Sequence, residues 1–450
     1  MPSAKPMDTP ICDFVRQYAE SGGLRLHMPG HKGTPVLGME RLDITEIRGA
    51  DSLYEADGII AASEANASKL FGCRTVYSTE GSSQCIRAML YLVQLLAKRM
   101  GKRPLIAAGR NAHKTFLTAA ALLDLQVDWL YPGQPSGYLS CRLTPERLER
   151  YFQKQLPAAV YVTSPDYLGQ VTDIAGLAEV CHRYGVLLVV DNAHGAYLKF
   201  LPQSMHPMDL GADLCCDSAH KTLPALTGGA YLHLSASMDA ELGDQVKNAM
   251  MIFGSTSPSY LILQSLDAVN PFLEGYPRRL LKLLPEIEAF RQRILACGYQ
   301  LLGDEPLKLT IDTKAYGYTG DQFAEALRDY EIEPEFADPD YVVLLLSATA
   351  DTQLLERVEQ ALLRIPRKAA VGKCCPPLQP KRQACSIREA MLADSQMLPA
   401  GECLGRILAV PTVGCPPAVP ILVCGEQIDE NAMECFAYYG IDTCCVVKEG

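Results

Sequence analysis

Four short polar clusters hold most of the residues able to do chemistry: STEGSSQ (78–84), GRNAHKT (109–115), DNAHG (191–195) and DSAHKT (217–222). They fall at the ends of strand-like segments, where open parallel sheets bind their ligands. In the first cluster Gly81, Ser82 and Ser83 stand where a helix begins. Free backbone N–H groups and the helix dipole favour an anion there, and the hydroxyls add donors. The plainer reading is a serine N-cap. In the third, Asp191 follows five apolar residues. A carboxylate at a buried strand end needs a partner, which a protonated ring nitrogen or a neighbouring arginine supplies. In the fourth, Lys221 sits among Ser218, His220 and Thr222 and is followed by Gly228 and Gly229. A lysine so placed suits imine formation once burial or a nearby cation frees its amine. Taken alone it reads as a surface lysine. His113, in the second cluster, is placed to stack on a planar ring.

The combination is more specific than its parts. A phosphate cradle, a ring-nitrogen carboxylate and an amine-bearing lysine, in that order, are what pyridoxal 5′-phosphate demands. On this reading Lys221 forms the imine, and Ser218 and His220 hold the phosphate beside it.

These residues need a scaffold that gathers strand ends. Apolar runs at 105–108, 127–130, 158–163, 186–190, 214–217 and 230–234 predict strands, and 114–123 and 174–184 predict helices between them. Ser82 is expected to cap a helix whose apolar positions Ile86, Met89, Leu90, Val93, Leu96 and Ala97 recur at helical spacing, with Gly101 ending it. Continuous apolar strands separated by helices predict an α/β core with a mostly parallel central sheet covered on both faces. After about residue 270 the pattern changes: a helix at 280–295, strands at 307–311 and 341–347, and a helix at 321–330 predict a small α+β domain. Residues 366–383 read as a linker, and 384–450 as a last module.

Composition narrows the classes. The chain has 450 residues, 41 basic against 52 acidic, a formal charge of −11 that repels phosphate backbones and argues against nucleic acid. The N-terminus lacks the apolar stretch of a signal peptide, and no window holds the ~18 unbroken apolar residues a membrane helix needs. A cytoplasmic protein is the expectation. The 17 cysteines show no repeated C-x2-C spacing, so they read as small buried hydrophobes and no metal is expected.

The motifs resemble a known family, the fold-type-I, pyridoxal-phosphate-dependent ornithine/lysine/arginine decarboxylases of bacteria, over nearly the whole chain. HMPGHKG (27–33) is similar to that family's N-terminal hallmark, and STEGSS to its phosphate loop. RNAHK is similar to the segment whose histidine stacks on the cofactor, which implies His113. VVDNAHGAY implies Asp191 at the pyridine nitrogen, with Ala193 on the opposite ring face and His194 in the cofactor set. DSAHKTLPALTGGAYLH implies Lys221 as the Schiff-base residue, with Ser218 and His220 toward the phosphate. GSTSPSYLILQSLD (254–267) resembles a segment reaching a partner subunit's phosphate, implying a homodimer with Ser255 and Thr256 at a shared site. The resemblance is to the short branch without the large enzymes' wing domain.

What it implies is an aspartate aminotransferase-like (fold type I) enzyme that decarboxylates arginine, lysine or ornithine for polyamine biosynthesis, with Lys221, His113, Asp191 and His220 catalytic. The implied division is an N-terminal arm (1–50), a cofactor-binding major domain (51–272), a small domain (273–367) and a linker with a C-terminal decarboxylase module (368–450). In that module Val410, Cys415, Ala418 and Cys424 depart from the family pattern, while Glu426 matches and is the expected contact for a substrate's distal cation. An aminotransferase or another lyase would share the cofactor site; the former needs an arginine for the α-carboxylate, with Arg364 and Arg367 as candidates. A cofactor-binding protein with an altered substrate pocket is the third reading. His27, His31, Tyr54 and Asp166 receive no firm role.

Overall fold

The structure, a computed structural model, describes residues 7–133, 137–415 and 419–449, without the side chains of 414–420. Ala418 and the Cys415 side chain therefore lie outside the described residues. The chain packs as two compact units: the part up to Gly101 with Leu187–Leu280, and Lys102–Val186 with Leu281 onward.

Seven strands carry the two units' main sheet segments: β1 (Arg74–Ser78), β2 (Leu105–Gly109), β3 (Gln126–Leu130), β4 (Ala159–Thr163), β5 (Leu187–Asp191), β6 (Leu214–Asp217) and β7 (Ala230–Leu234). In the first unit β1, β7, β6 and β5 lie side by side in that order. β5 and β6 are parallel. β7 runs antiparallel to both its neighbours, a departure from all-parallel crossovers. Only a short turn and loop separate β6 from β7, too little chain for the helical crossover that a parallel return needs. In the second unit β4, β2 and β3 are parallel in that order. Every residue of β2, β6 and β7 is buried, as continuous apolar sequence requires of strands covered on both faces.

The helix Gly81–Arg99 matches the expected apolar stripe, burying Ile86, Met89, Leu90, Val93 and Ala97. Its start differs from expectation. Glu80, not Ser82, occupies the N-cap position, and no side chain caps it. Ser82 lies inside the first turn because Gly81, at φ +68°, turns the chain one residue earlier. Helix Lys114–Leu123 is capped by His113, whose ring accepts the N–H of Thr115.

The second unit also carries a four-stranded antiparallel sheet, β10 (Phe336–Ala337), β11 (Tyr341–Leu345), β9 (Lys308–Asp312) and β8 (Leu301–Leu302) in that order. Near the C-terminus two antiparallel pairs form, Ser395–Pro399 with Thr443–Val447 and Thr412–Cys415 with Val419–Val423. Their core, with Leu408, Ile421, Ile428, Phe436 and Val446, packs on Tyr138, Leu139 and Leu168. All 16 described cysteines are free thiols and 10 of them are buried, which fits small apolar fillers. Among the described residues no helix is long and apolar enough to cross a membrane.

Candidate active site

The first unit gathers the ends of β1, β5 and β6 around one turn of helix, Ala219–Thr222. That turn carries Lys221, half-buried, with its Nζ 3.1 Å from His194 Nε2. It is not a solvated surface lysine. His194 and Ala193 are buried on the turn that follows Asp191. Asp191 is itself 2% exposed; its Oδ1 accepts the N–H of Ala193 at 3.2 Å and the Cys216 thiol at 3.7 Å.

Beside the lysine lies the start of helix Gly81–Arg99. Ser218 Oγ donates to Ser82 Oγ at 2.8 Å, tying the two clusters together. The Gly81 N–H donates to Gly228 O at 2.8 Å, and a Cβ built on Gly81 would stand 3.9 Å from His220 Cε1. The His220 ring thus borders the helix start. Its Nδ1 donates to Gly229 O at 2.9 Å, so the neutral ring turns Nε2 away from that carbonyl. Burial lowers the His220 imidazole below its usual range; the Gly229 bond opposes this, and the Lys221 charge adds to it. An uncapped helix start without an acidic first turn, bordered by two hydroxyls and an imidazole, is a chemically suitable seat for a phosphate. With a buried carboxylate and an amine in the same unit, the residues present fit pyridoxal phosphate.

The Gly228-Gly229 pair now has a physical reason. Gly228 holds φ +98°, and a Cβ there would lie 2.8 Å from Thr79 O, just before the cradle. Gly228→Ala is expected to lower stability by more than about 1 kcal/mol and to loosen the Gly81 bond, read as a lower thermal midpoint together with weaker cofactor retention.

Other expected residues fall in varied places. Ser83 is half-buried in the first helical turn. Ser255 and Thr256 are exposed, and the Ser255 N–H donates to Glu80 Oε1 at 2.6 Å. Tyr54 OH accepts from Gln84 Nε2 at 2.8 Å, and Gly254 packs so closely on this pair that a Cβ would be 2.0 Å from the phenol oxygen. His27 meets Tyr18 OH at 2.5 Å and the Met28 carbonyl, and His31 meets Asp43 at 3.2 Å, so both serve contacts within the arm.

In the second unit His113 Nδ1 accepts the Thr115 N–H at 3.2 Å. Asp166 Oδ1 accepts the N–H groups of Leu168 and Gln170, both at 2.9 Å, closing its own loop. Glu426 is not solvated: it is 1% exposed and accepts from Arg110 Nη2 at 2.8 Å and Val423 N at 2.9 Å. Burial pushes the Glu426 carboxyl up, and Arg110 pulls it back. Arg110 packs over Trp129 and Tyr131. Arg110 has no expected role in the sequence; its one signal there is a charged residue directly after the apolar β2.

The fold and this site define a pyridoxal-phosphate-dependent enzyme of fold type I. The chain belongs to the Orn/Lys/Arg decarboxylase family, whose major-domain profile matches residues 9–302. It is 28% identical to an arginine decarboxylase of Bacillus subtilis over 94% of this chain and 92% of that one. An arginine decarboxylase of Halalkalibacterium halodurans is 29% identical, over 94% of this chain and 91% of that one. Among solved structures, the lysine decarboxylase of Francisella novicida superposes with a TM-score of 0.80 at 17% identity, covering 98% of this chain and 81% of that one. The constitutive lysine decarboxylase of Escherichia coli gives 0.78 at 17% identity, covering 98% and 82%.

Proposed function

We propose that this enzyme removes the α-carboxylate of a basic L-amino acid, arginine, lysine or ornithine, for polyamine biosynthesis in the cytoplasm. The observation that carries the reading is the grouping of Lys221, His194, Asp191 and the Ser82–Ser218 cradle within one unit of a chain from this family. The similarity to proteins named arginine decarboxylase makes arginine the first substrate to test. The working division keeps the arm (1–50), the cofactor domain (51–272), the small domain (273–367) and the C-terminal module (368–450).

In this reading Lys221 holds the cofactor, and Gly81, Ser82, Ser83, Ser218 and His220 hold its phosphate. A phosphate dianion beside His220 would draw a proton onto Nε2, against the burial that keeps the free ring neutral. Asp191 would keep the ring nitrogen protonated and Ala193 would lie against the ring, while a stacking role for His113 rests on the family resemblance. When bound, pyridoxal phosphate supplies the electron sink for the electrons that departing CO2 leaves behind. Lys221 Nζ, within hydrogen-bond reach of His194, has a neighbour with which to exchange a proton, and Lys221 or His220 returns one to the substrate's α-carbon. Ser255 and Thr256 serve the partner's site in a homodimer. Glu426, already engaged by Arg110, meets a distal cation only by exchanging that partner.

The test is direct. Purified protein loaded with pyridoxal phosphate is incubated with each of the three amino acids, and the product is identified. Agmatine, cadaverine or putrescine with one CO2 per amine supports the proposal. A keto acid without CO2 overturns it in favour of transamination, and no turnover on any of the three overturns it in favour of a cofactor-binding protein.

A further inference from the structure

A second polar cluster lies in the first unit, and the reading above leaves it unused. Asp217, His206 and His233 are all fully buried. His206 Nε2 is 3.0 Å and His233 Nε2 3.1 Å from the same oxygen, Asp217 Oδ2. Asn192 Nδ2 donates to the other oxygen, Oδ1, at 2.6 Å. Three such donors at this spacing also suit a divalent metal. The outer edges of the two rings decide between metal and proton.

His206 Nδ1 accepts the Met208 N–H at 3.3 Å, so this ring carries its proton on Nε2 and turns it toward Asp217. On the other ring, Thr75 Oγ1 donates to Cys73 O at 3.3 Å and so offers a lone pair to His233 Nδ1 at 2.9 Å. In that arrangement Nδ1 of His233 is protonated; the Thr75 hydroxyl turned to Nδ1 instead leaves the ring neutral. An unprotonated Nε2 would set lone pair against lone pair 3.1 Å from the carboxylate oxygen. A buried carboxylate with no lysine or arginine beside it among the described residues favours the first arrangement, with His233 an imidazolium and Asp217 its counter-ion. Burial opposes both charges; the pairing prevails, holding the His233 imidazole above its usual range and the Asp217 carboxyl well below its own. The titratable groups facing His233 are Asp217 and Cys215 on β6, His206 from the loop before it, Cys73 ahead of β1 and Tyr231 on β7 itself. Among the described residues no lysine or arginine pairs with Asp217.

We propose that the Asp217–His233 ion pair, acting through Asn192, positions the two halves of the cofactor site. Asn192 links Asp191 to Ala193. Its N–H donates to Cys216 O at 3.0 Å, its carbonyl accepts Gly195 N–H at 2.7 Å, and its amide is held by Asp217. A Cβ on Gly195 would stand 2.0 Å from Asn192 Oδ1, so that glycine makes room for this side-chain setting. On the other side Asp217 leads into Ser218, which reaches the cradle through Ser82. One buried carboxylate thus sets both the turn that aims Asp191 and the hydroxyl at the helix start. The roles of Asp191 and Ser218 rest on the function proposed above; the protonation of His233 does not.

The test uses the cofactor-loaded protein with 15N-labelled histidine, His233 being assigned by the signal lost in His233→Gln. At pH 7.5 both His233 nitrogens are expected to show protonated shifts, while His206 shows one. In Asn192→Ala, which cuts the link but spares the pair, the His233 signals are expected to persist while the Kd for pyridoxal phosphate rises roughly tenfold or more, the weight of a hydrogen bond to a charged group. In Asp217→Asn, His233 is expected to lose its second proton at pH 7.5. A single protonated nitrogen on wild-type His233, or one metal ion per purified chain, overturns the ion pair. A Kd within twofold of wild type in Asn192→Ala overturns the positioning role. Wild-type protein that retains no cofactor sinks the functional reading instead, and the nitrogen shifts still decide the ion pair.

Discussion

Lys221→Ala is expected to lower the rate of CO2 release by roughly 10³-fold or more while leaving the thermal midpoint within a few degrees of wild type. The side chain is half-buried, with its Nζ 3.1 Å from His194 Nε2, so its removal costs little packing. What is lost is the cluster's nucleophilic amine beside a proton-exchanging imidazole. Lys221→Arg should not rescue the rate, because a guanidinium keeps its proton and cannot serve as a free amine. Labelled CO2 release together with thermal denaturation separates the chemical effect from a folding one. A Lys221→Ala protein that retained a tenth of wild-type turnover would remove this lysine from the mechanism.

Glu426→Ala should be the most destabilising single change in the C-terminal module. It strands the Arg110 guanidinium, itself 1% exposed, without its counter-charge. Breaking one side of a buried pair costs about 3–5 kcal/mol, because the remaining charge stays desolvated. The chain has one tryptophan, and it lies beneath the group left unpaired: the Arg110 guanidinium is 5.1 Å from the Trp129 ring. A lower thermal midpoint and a shifted tryptophan emission are therefore expected together. Arg110→Met with Glu426→Leu removes both charges and should recover much of the loss, since a well-packed apolar pair replaces a buried ion pair at little net cost. If Glu426→Ala unfolds at the wild-type temperature, the pair has no structural weight and Glu426 is free for a substrate cation.

These two sites differ in how readily the sequence discloses them. Lys221, Asp191 and Ser218 lie within short segments, each at the end of an apolar strand. Local periodicity suffices there, because a fully apolar run followed by polar residues must surface at a sheet edge. Strand positions such as 105–108 and 214–217 are legible for the same reason, and the structure places strands at Leu105–Gly109 and Leu214–Asp217. The helix N-cap is Glu80, two residues before the expected Ser82, with Gly81 making the turn between them. Serine is a common cap, but a glycine at positive φ lets the chain turn before it.

Pairings between distant residues are another matter. Arg110 and Glu426 stand 316 positions apart, and Asn192, just after β5, stands 25 from Asp217 at the end of β6. Nothing local distinguishes a buried, paired Glu426 from a solvated one, since its charge state and partner depend on what packs against it. The same holds for His233, which is a strand residue in sequence and an imidazolium only because Thr75, Asp217 and the surrounding burial meet around its ring. Strand positions, polar strand ends and family membership are legible in the chain alone, because each rests on local runs of residues. Tertiary structure alone decided which charges face each other and the antiparallel course of β7, because desolvation and hydrogen-bond geometry are properties of packed neighbours and not of composition or spacing.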